Sequence, residues 1–484
     1  MQGDGGGGLP SSAAYRSKAR DRPGFVLCGA GGAEVAQSKD RDIQGDAMKR
    51  RIRITALVAL ALATAGVFAQ GQAPQLPDAA ATDPKALGWM VGSPPPPDKI
   101  IRFADGSFYK FPQWRWTFSN ARQFLPTANV SRGSGGIAVL PNADRNDLDA
   151  IEFTTMDGRK MTWLQSLPAV YTDGIVVLHK GNIVYERYFG ALEPVKPHSA
   201  MSVTKSFVGT LAAMLAAEGV IDPSAPVTRY LPELKDTAYG DATVRQVMDM
   251  TIGVKYSENY ADPKAEVWDY SRAGGMLPTA PDYKGPRNYY EFLVRLQKEG
   301  NHGEAFAYKT VNSEVLAWIV TRVTGRTLAQ LTSERIWSKL GAEGDAFYSV
   351  DSIGTASGGG GLSTTLRDLA RFGEMMRLGG FYNGQQIVPK AVVEDIQRGA
   401  SREDFAKAGY KTLPGWSYRN MWWISHNENG AYTARGIHGQ VIWIDPKAEM
   451  VIARYASHAV PNNPFNDPVS LPAYAAMAKK LMGE

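Results

Sequence analysis

Ser202-Val203-Thr204-Lys205 is the stretch on which the reading of this chain turns. It sets a hydroxyl and an amine three residues apart at the start of an apolar segment, and on a helix positions i and i+3 share a face. Lys205 can then aim its nitrogen at the Ser202 oxygen, an activation of serine that needs no histidine. The first turn adds unpaired backbone N–H groups and the positive end of the helix dipole, both suited to the negative charge of acyl transfer. Alone the spacing is unspecific, because Ser202 also reads as a helix N-cap and Lys205 as a solvated first-turn residue. The surroundings must decide. Downstream, Phe207, Val208, Leu211, Ala212, Met214 and Leu215 recur at a helical period with Gly219 as the stop, which predicts a helix buried on most sides.

Upstream of that helix, Ile175-Val176-Val177-Leu178 and Ile183-Val184-Tyr185 flank Lys180-Gly181-Asn182, the pattern of two strands joined by a tight turn. Strand candidates return at the far end as Met421-Trp422-Trp423-Ile424, Gly436 to Ile444, and Met450 to Tyr455. Asn429-Gly430 and Asp445-Pro446 supply turns between them. Between the two ends, residues from about 236 to 355 alternate short helical patterns with loops rich in Gly, Pro, Asp and Tyr. The run Gly358-Gly359-Gly360-Gly361 then leads as a flexible turn into Leu366, Leu369, Ala370, Phe372 and Met375 at helical spacing. The expected class is α/β of the α+β type: one antiparallel sheet built from both chain ends, flanked by helices, with a mostly helical inserted subdomain.

The first 47 residues are glycine-rich and without periodicity, and read as a disordered leader or a mis-assigned start. From Met48 the pattern is that of a secretory signal: Lys49, Arg50, Arg51 and Arg53, then an apolar run from Ile54 to Phe68, then Val67 and Ala69 before Gln70. Cleavage after Ala69 and a periplasmic or secreted destination are expected, with no stable membrane insertion afterwards, since the run is too short for a spanning helix. Residues 70–99, with Pro94-Pro95-Pro96-Pro97, read as an extended linker before a globular domain at 100–484. Residues 1–69 hold ten of the 53 basic and six of the 48 acidic residues, so the rest of the chain has 43 against 42. That balance gives no argument for nucleic acid or an anionic membrane. The single cysteine, Cys28, lies in the leader, which excludes a disulfide in the exported chain.

Two later segments bring further chemistry. Phe306-Ala307-Tyr308-Lys309-Thr310 opens a helix that runs through Leu316, Trp318, Ile319 and Val323 to Gly325, so Tyr308 can project its phenol into a cleft and relay a proton. Gly436-Ile437-His438-Gly439-Gln440 sits on an expected strand, where glycines allow close approach of a ligand and an N–H near Gln440 or Val441 can join that of Ser202 as an oxyanion hole. Read singly, Tyr308 is equally a packing tyrosine and His438 a hydrogen-bonded strand residue. There is no Gly-x-Ser-x-Gly elbow, no His-Glu-x-x-His and no Walker loop, and the six histidines are scattered, so no metal and no cofactor is implied.

Ser-x-x-Lys, then a Tyr before a later helix, then a glycine-bounded polar triplet, in that order, resemble the serine β-lactamase and penicillin-binding protein superfamily. The likeness is closest to its class C-like esterase and 6-aminohexanoate-oligomer hydrolase branch, and Tyr260-Ala261-Asp262-Pro263, Gly360-Gly361-Leu362-Ser363-Thr364 and Ile444-Asp445-Pro446 extend it from about residue 100 to the end. The resemblance implies Ser202 as nucleophile, Lys205 as its proton partner and Tyr308 as general base or acid. It also implies substrate contacts by Tyr260, Thr310, His438, Gly439, Gln440 and Val441, the triplet His438-Gly439-Gln440 standing where penicillin-recognising relatives carry Lys-Thr-Gly. Two departures stand out: Thr310 replaces the usual Asn of Tyr-x-Asn, and His438 replaces a lysine that holds a carboxylate. Loss of an amide donor and a permanent cation points away from antibiotics, toward small neutral or aminoacyl-type amides and esters. A D-amino-acid peptidase, a weak β-lactamase, and a non-catalytic module that binds cell-wall fragments remain as alternatives. The oligomeric state is left open.

Overall fold

The computed structural model describes residues 76–484, and the leader and the signal-like segment lie outside them. The hairpin appears where alternation and turn chemistry place it. Strand β1 (Thr172–His179) returns as β2 (Asn182–Tyr188), and His179 pairs with Asn182. The two residues between, Lys180 and Gly181, both take positive φ, at 51° and 79°, as the right-handed twist of a two-residue hairpin demands. Helix α1 (Val203–Ala217) follows, then α2 (Val311–Thr324) and α3 (Leu366–Arg377).

Five more strands complete the sheet: β3 (Ser417–Arg419), β4 (Trp422–Ile424), β5 (Tyr432–Gly436), β6 (Gln440–Asp445) and β7 (Met450–Ala456), before the terminal helix α4 (Asp467–Met482). The order is β3-β4-β5-β6-β7-β1-β2, antiparallel throughout. The expected sheet from both chain ends is therefore present, closed by pairing of β7 with β1. One strand expectation is corrected. Gly436 to Ile444 is two strands, because Ile437-His438-Gly439 is a hairpin loop in which His438 and Gly439 adopt φ of 62° and 96°.

Helices cover both faces of the sheet. In β6, Ile442 turns toward α3, whose Gly373 lies so close that a Cβ there would stand 2.7 Å from Ile442 Cγ2. Its neighbour Trp443 turns the other way, 5.6 Å between ring centroids from Tyr474 of α4. This two-sided burial is why β1, β6 and β7 read as nearly continuous apolar runs rather than alternating ones. Helix α1 is buried along most of its length, as its broad apolar pattern predicts, and Phe207 stacks on Phe372 of α3 at 3.8 Å. Phe207 is fully buried. Phe207→Ala is expected to cost about 3–5 kcal/mol in urea unfolding, since a fully buried ring is lost and the packed surroundings relax only partially. A loss under about 1 kcal/mol would contradict this packing.

A second, four-stranded sheet joins Thr127–Val130, Ala346–Ser349, Leu362–Thr364 and His198–Ser199 in that order. Its last strand feeds directly into α1. Residues 236–355 hold the helices Val244–Met248, Glu266–Ala273, Tyr289–Leu293, α2 and Leu328–Thr332 among long loops, and near their end they contribute Ala346–Ser349 to this second sheet. The segment 76–99 is not an extended linker. Asp83 caps a short helix, Pro84–Leu87, and Arg115 donates at 2.8 Å to Thr82, so this stretch is docked on the domain. Among the described residues no helix is long and apolar enough to cross a membrane.

Candidate active site

Ser202 stands at the junction of the second sheet and α1. The preceding Met201 holds φ at 47°, a left-handed conformation unfavourable for a side chain with a Cβ, and this sharp turn presents Ser202 at the helix entrance. Lys205, one turn on, is 1% exposed. Its Nζ donates to Ser202 Oγ at 2.8 Å and to the Gly359 carbonyl at 2.5 Å, and lies 5.2 Å from the centre of the Tyr308 ring. Burial pushes the amine down to about 8, against the pull of the Glu258 and Glu314 carboxylates. Near neutral pH the group is therefore poised between its two protonation states.

Tyr308 reaches the same place from the start of α2. Its segment is fixed by backbone bonds, Ala307 N–H to the Met250 carbonyl at 2.8 Å and Thr310 N–H to the Glu258 carboxylate at 2.9 Å. Burial raises the phenol well above its ordinary value and Glu258 raises it further, while the Ser202 hydroxyl pulls the other way. Ser202 and Tyr308 open on a cavity of about 190 Å³, whose walls include Glu258, Tyr260, Arg435 and Ile437. The three groups singled out from distant positions thus converge beside an opening. Tyr260 also faces a neighbouring cavity of about 390 Å³ with Trp114, Trp268 and His438, and is T-shaped to Trp268.

The remaining sequence candidates are placed elsewhere. Thr310 is buried at the head of α2, its methyl toward Gly359, and it serves the cavity only through the backbone bond that orients Glu258. His438 is 1% exposed, accepts no place on a strand, and points its ring among Trp114, Phe118 and Tyr109. Its Nδ1 meets the His458 carbonyl at 2.8 Å, and burial pushes it down to about 3, so it stays neutral and does not substitute for a cation. Gly439 offers its carbonyl to Arg454 at 2.9 Å. The Gln440 amide binds the Ile437 and Ala456 carbonyls and accepts from Ala456 N–H, holding the hairpin loop in shape. Val441 lies beside Trp443 under α4. The loop reverses the chain after Ile437, and that reversal takes all four residues away from the Ser202 cavity.

In their place the end of β5 meets Ser202. A Cβ on Gly436 would sit 3.0 Å from the Ser202 nitrogen, so a glycine lets the strand press against the head of α1, and Ile437 follows into the cavity wall. Among the described residues, the Ser202 N–H has no hydrogen-bond acceptor. The expectation that the site lacks a permanent cation is also corrected: Arg435, two residues before Ile437, lines it. It is ion-paired with Asp467 and packed over Trp423 at 5.3 Å. Arg435 and Ile437 flank the glycine already noted in the sequence, so the signal was adjacent. Glu258 stands two residues before Tyr260 but carried no signal of its own, and neither did Asp467.

This is the architecture and site of a serine hydrolase, and the comparisons with known proteins agree. The Beta-lactamase family model matches residues 162–473, and the chain belongs to that family. It is 39% identical over 357 residues to the 6-aminohexanoate-dimer hydrolase of Paenarthrobacter ureafaciens, covering 74% of this chain and 88% of the relative. A solved structure from Bacillus anthracis, provisionally named a 6-aminohexanoate-dimer hydrolase, superposes with a TM-score of 0.72 at 34% identity, over 81% of this chain and 99% of its own. The hydrolase EstCE1, described as having promiscuous acyltransferase activity, shares the fold at a TM-score of 0.50 and 14% identity, over 63% of this chain and 98% of its own.

Proposed function

We propose that this protein is an exported hydrolase that opens linear amides of the 6-aminohexanoate type, and simple esters, through an acyl-enzyme on Ser202. The observation that carries the reading is the 2.8 Å contact between a buried Lys205 amine and the Ser202 hydroxyl at the edge of a cavity shared with Tyr308. As Ser202 Oγ attacks the carbonyl carbon, its proton passes to the Lys205–Tyr308 pair. The carbonyl oxygen becomes an oxyanion facing the Ser202 and Ile437 N–H groups. Collapse breaks the C–N or C–O bond, and the stored proton goes to the leaving nitrogen or oxygen. Water then repeats the sequence on the ester, giving up a proton to the same pair and releasing the acid and Ser202. Export is supported by the basic-then-apolar pattern of Met48–Ala69, and N-terminal sequencing of secreted protein should begin at Gln70.

The cavity disfavours a β-lactam because its cation, Arg435, is already neutralised by Asp467. Assayed side by side, 6-aminohexanoate dimer and short-chain p-nitrophenyl esters are expected to turn over at least about 100-fold faster in kcat/KM than a chromogenic cephalosporin or a D-alanyl peptide. A cephalosporin as best substrate would overturn the assignment. So would a long-lived adduct with no turnover, which marks a binding module.

A further inference from the structure

Behind the amine lies a second buried carboxylate that the reaction sequence does not use. Glu314, on the first turn of α2, is 3% exposed and, among the described residues, pairs with no cation in a salt bridge. Four neutral donors surround it instead. Oε1 accepts from Tyr270 Oη at 2.6 Å, Gly359 N at 2.8 Å and Ser357 Oγ at 3.0 Å, and Oε2 accepts from Gly358 N at 2.9 Å. The residue whose N–H it holds, Gly359, is the one whose carbonyl accepts the Lys205 amine at 2.5 Å. The glycines are a steric necessity: a Cβ on Gly359 would stand 2.8 Å from Glu314 Oε1, and one on Gly358 would stand 2.6 Å from Ala317 Cβ. The glycine run is thus a carboxylate-bound cradle rather than a flexible turn.

We propose that Glu314 is a positioning residue for the acyl-transfer reaction, locking the Gly358–Gly359 backbone so that the Gly359 carbonyl aims the Lys205 nitrogen at Ser202, and setting the charge on that nitrogen through the same linkage. The inference rests on the hydrolase reading of this site. The groups that face Lys205 are Ser202 and the Gly359 carbonyl by hydrogen bond, the Tyr308 ring, and the carboxylates of Glu258 and Glu314. Those that face Glu314 are the phenols of Tyr270, Tyr289, Tyr256 and Tyr290, together with the Lys205 amine. Burial raises the Glu314 carboxyl above its ordinary value, the hydrogen bonds from Tyr270, Gly358, Gly359 and Ser357 oppose that rise, and the negative charge they favour there in turn favours protonated Lys205. A neutral amide there removes that support, and because its NH₂ accepts no hydrogen bond, one of the two glycine N–H groups loses its acceptor.

Glu314→Gln is therefore expected to lower kcat about tenfold with KM within about twofold, a loss of orientation rather than of substrate binding. The limb of the pH–rate profile that titrates Lys205 should move to lower pH by about 1 unit, whichever protonation state is active. The Lys205 titration is read independently of turnover by NMR of ¹³Cε-labelled lysine, and should shift the same way. Tyr270→Phe, which removes one donor and keeps the ring, should show the same changes at smaller size. It also keeps the test open if Glu314→Gln does not fold. An unchanged limb and an unchanged Lys205 titration in a folded variant would overturn the proposal. A shifted titration in a protein that hydrolyses none of the panel substrates would leave this linkage standing and sink the hydrolase reading instead.

Discussion

Ser202→Ala is expected to lower kcat/KM on the preferred amide by on the order of 10⁴-fold or more, and to abolish covalent labelling by an activated phosphonate. The size follows from what the hydroxyl does. On the proposed mechanism no acyl-enzyme forms without it, and what remains is only the stabilisation that the cavity gives to direct attack by water. The fold should be untouched, because α1 begins at Val203 and Ser202 makes no side-chain cap bond to it. Intact-mass spectrometry after incubation with the phosphonate reads the outcome directly. Unchanged labelling in the alanine variant would place the nucleophile elsewhere and dissolve the assignment of this site.

Lys205→Met should be nearly as damaging, at about 10³- to 10⁴-fold in kcat, since it removes the proton partner while filling the same volume. Its effect on stability runs the other way and depends on pH. Burial holds the amine at about 8, below its ordinary value, so between that pH and about 10.4 the unfolded chain binds more protons than the folded one. Stability of the wild type therefore rises through this window, and below it the buried ammonium is a cost. Methionine carries no such cost. The Tm of Lys205→Met is expected to exceed that of the wild type at pH 7 and to lose this advantage by pH 10. A variant that loses activity and is destabilised equally at both pH values would assign Lys205 a structural role. In the wild type, activity should rise with pH along a limb near 8 as the amine becomes free to accept the serine proton.

Tyr308 came within view of sequence reading because it precedes an apolar helix whose start and stop are both marked, and the structure sets it on the Ser202 cavity. The β1–β2 hairpin was equally legible, since Lys180-Gly181 is a two-residue turn with its own backbone preference. Gly436–Gln440 was misread for a reason of the same local kind. Alternating apolar residues on both sides imitate one strand, and a histidine at positive φ is not a signal that a turn lies between them. Once the chain reverses there, His438 faces an aromatic cluster, Gly439 and Gln440 bond within the loop's own surroundings, and the less conspicuous Arg435 and Ile437 line the Ser202 cavity.

Spacing within a single helix was enough to join Ser202 to Lys205, because three residues on an α-helix leave little freedom in how two side chains meet. No such short-range constraint links Lys205 to Gly359, Gly359 to Glu314, or Arg435 to Asp467. Those contacts exist only because the sheet closes between its two ends and brings α1, α2 and the C-terminal strands to one cavity. The pairing of Ser202 with the Lys205 amine was thus fixed by local helix geometry. The charge on that amine, the donors that face the substrate, and the carboxylates around them depend on burial and on long-range pairing, which exist only in the folded chain.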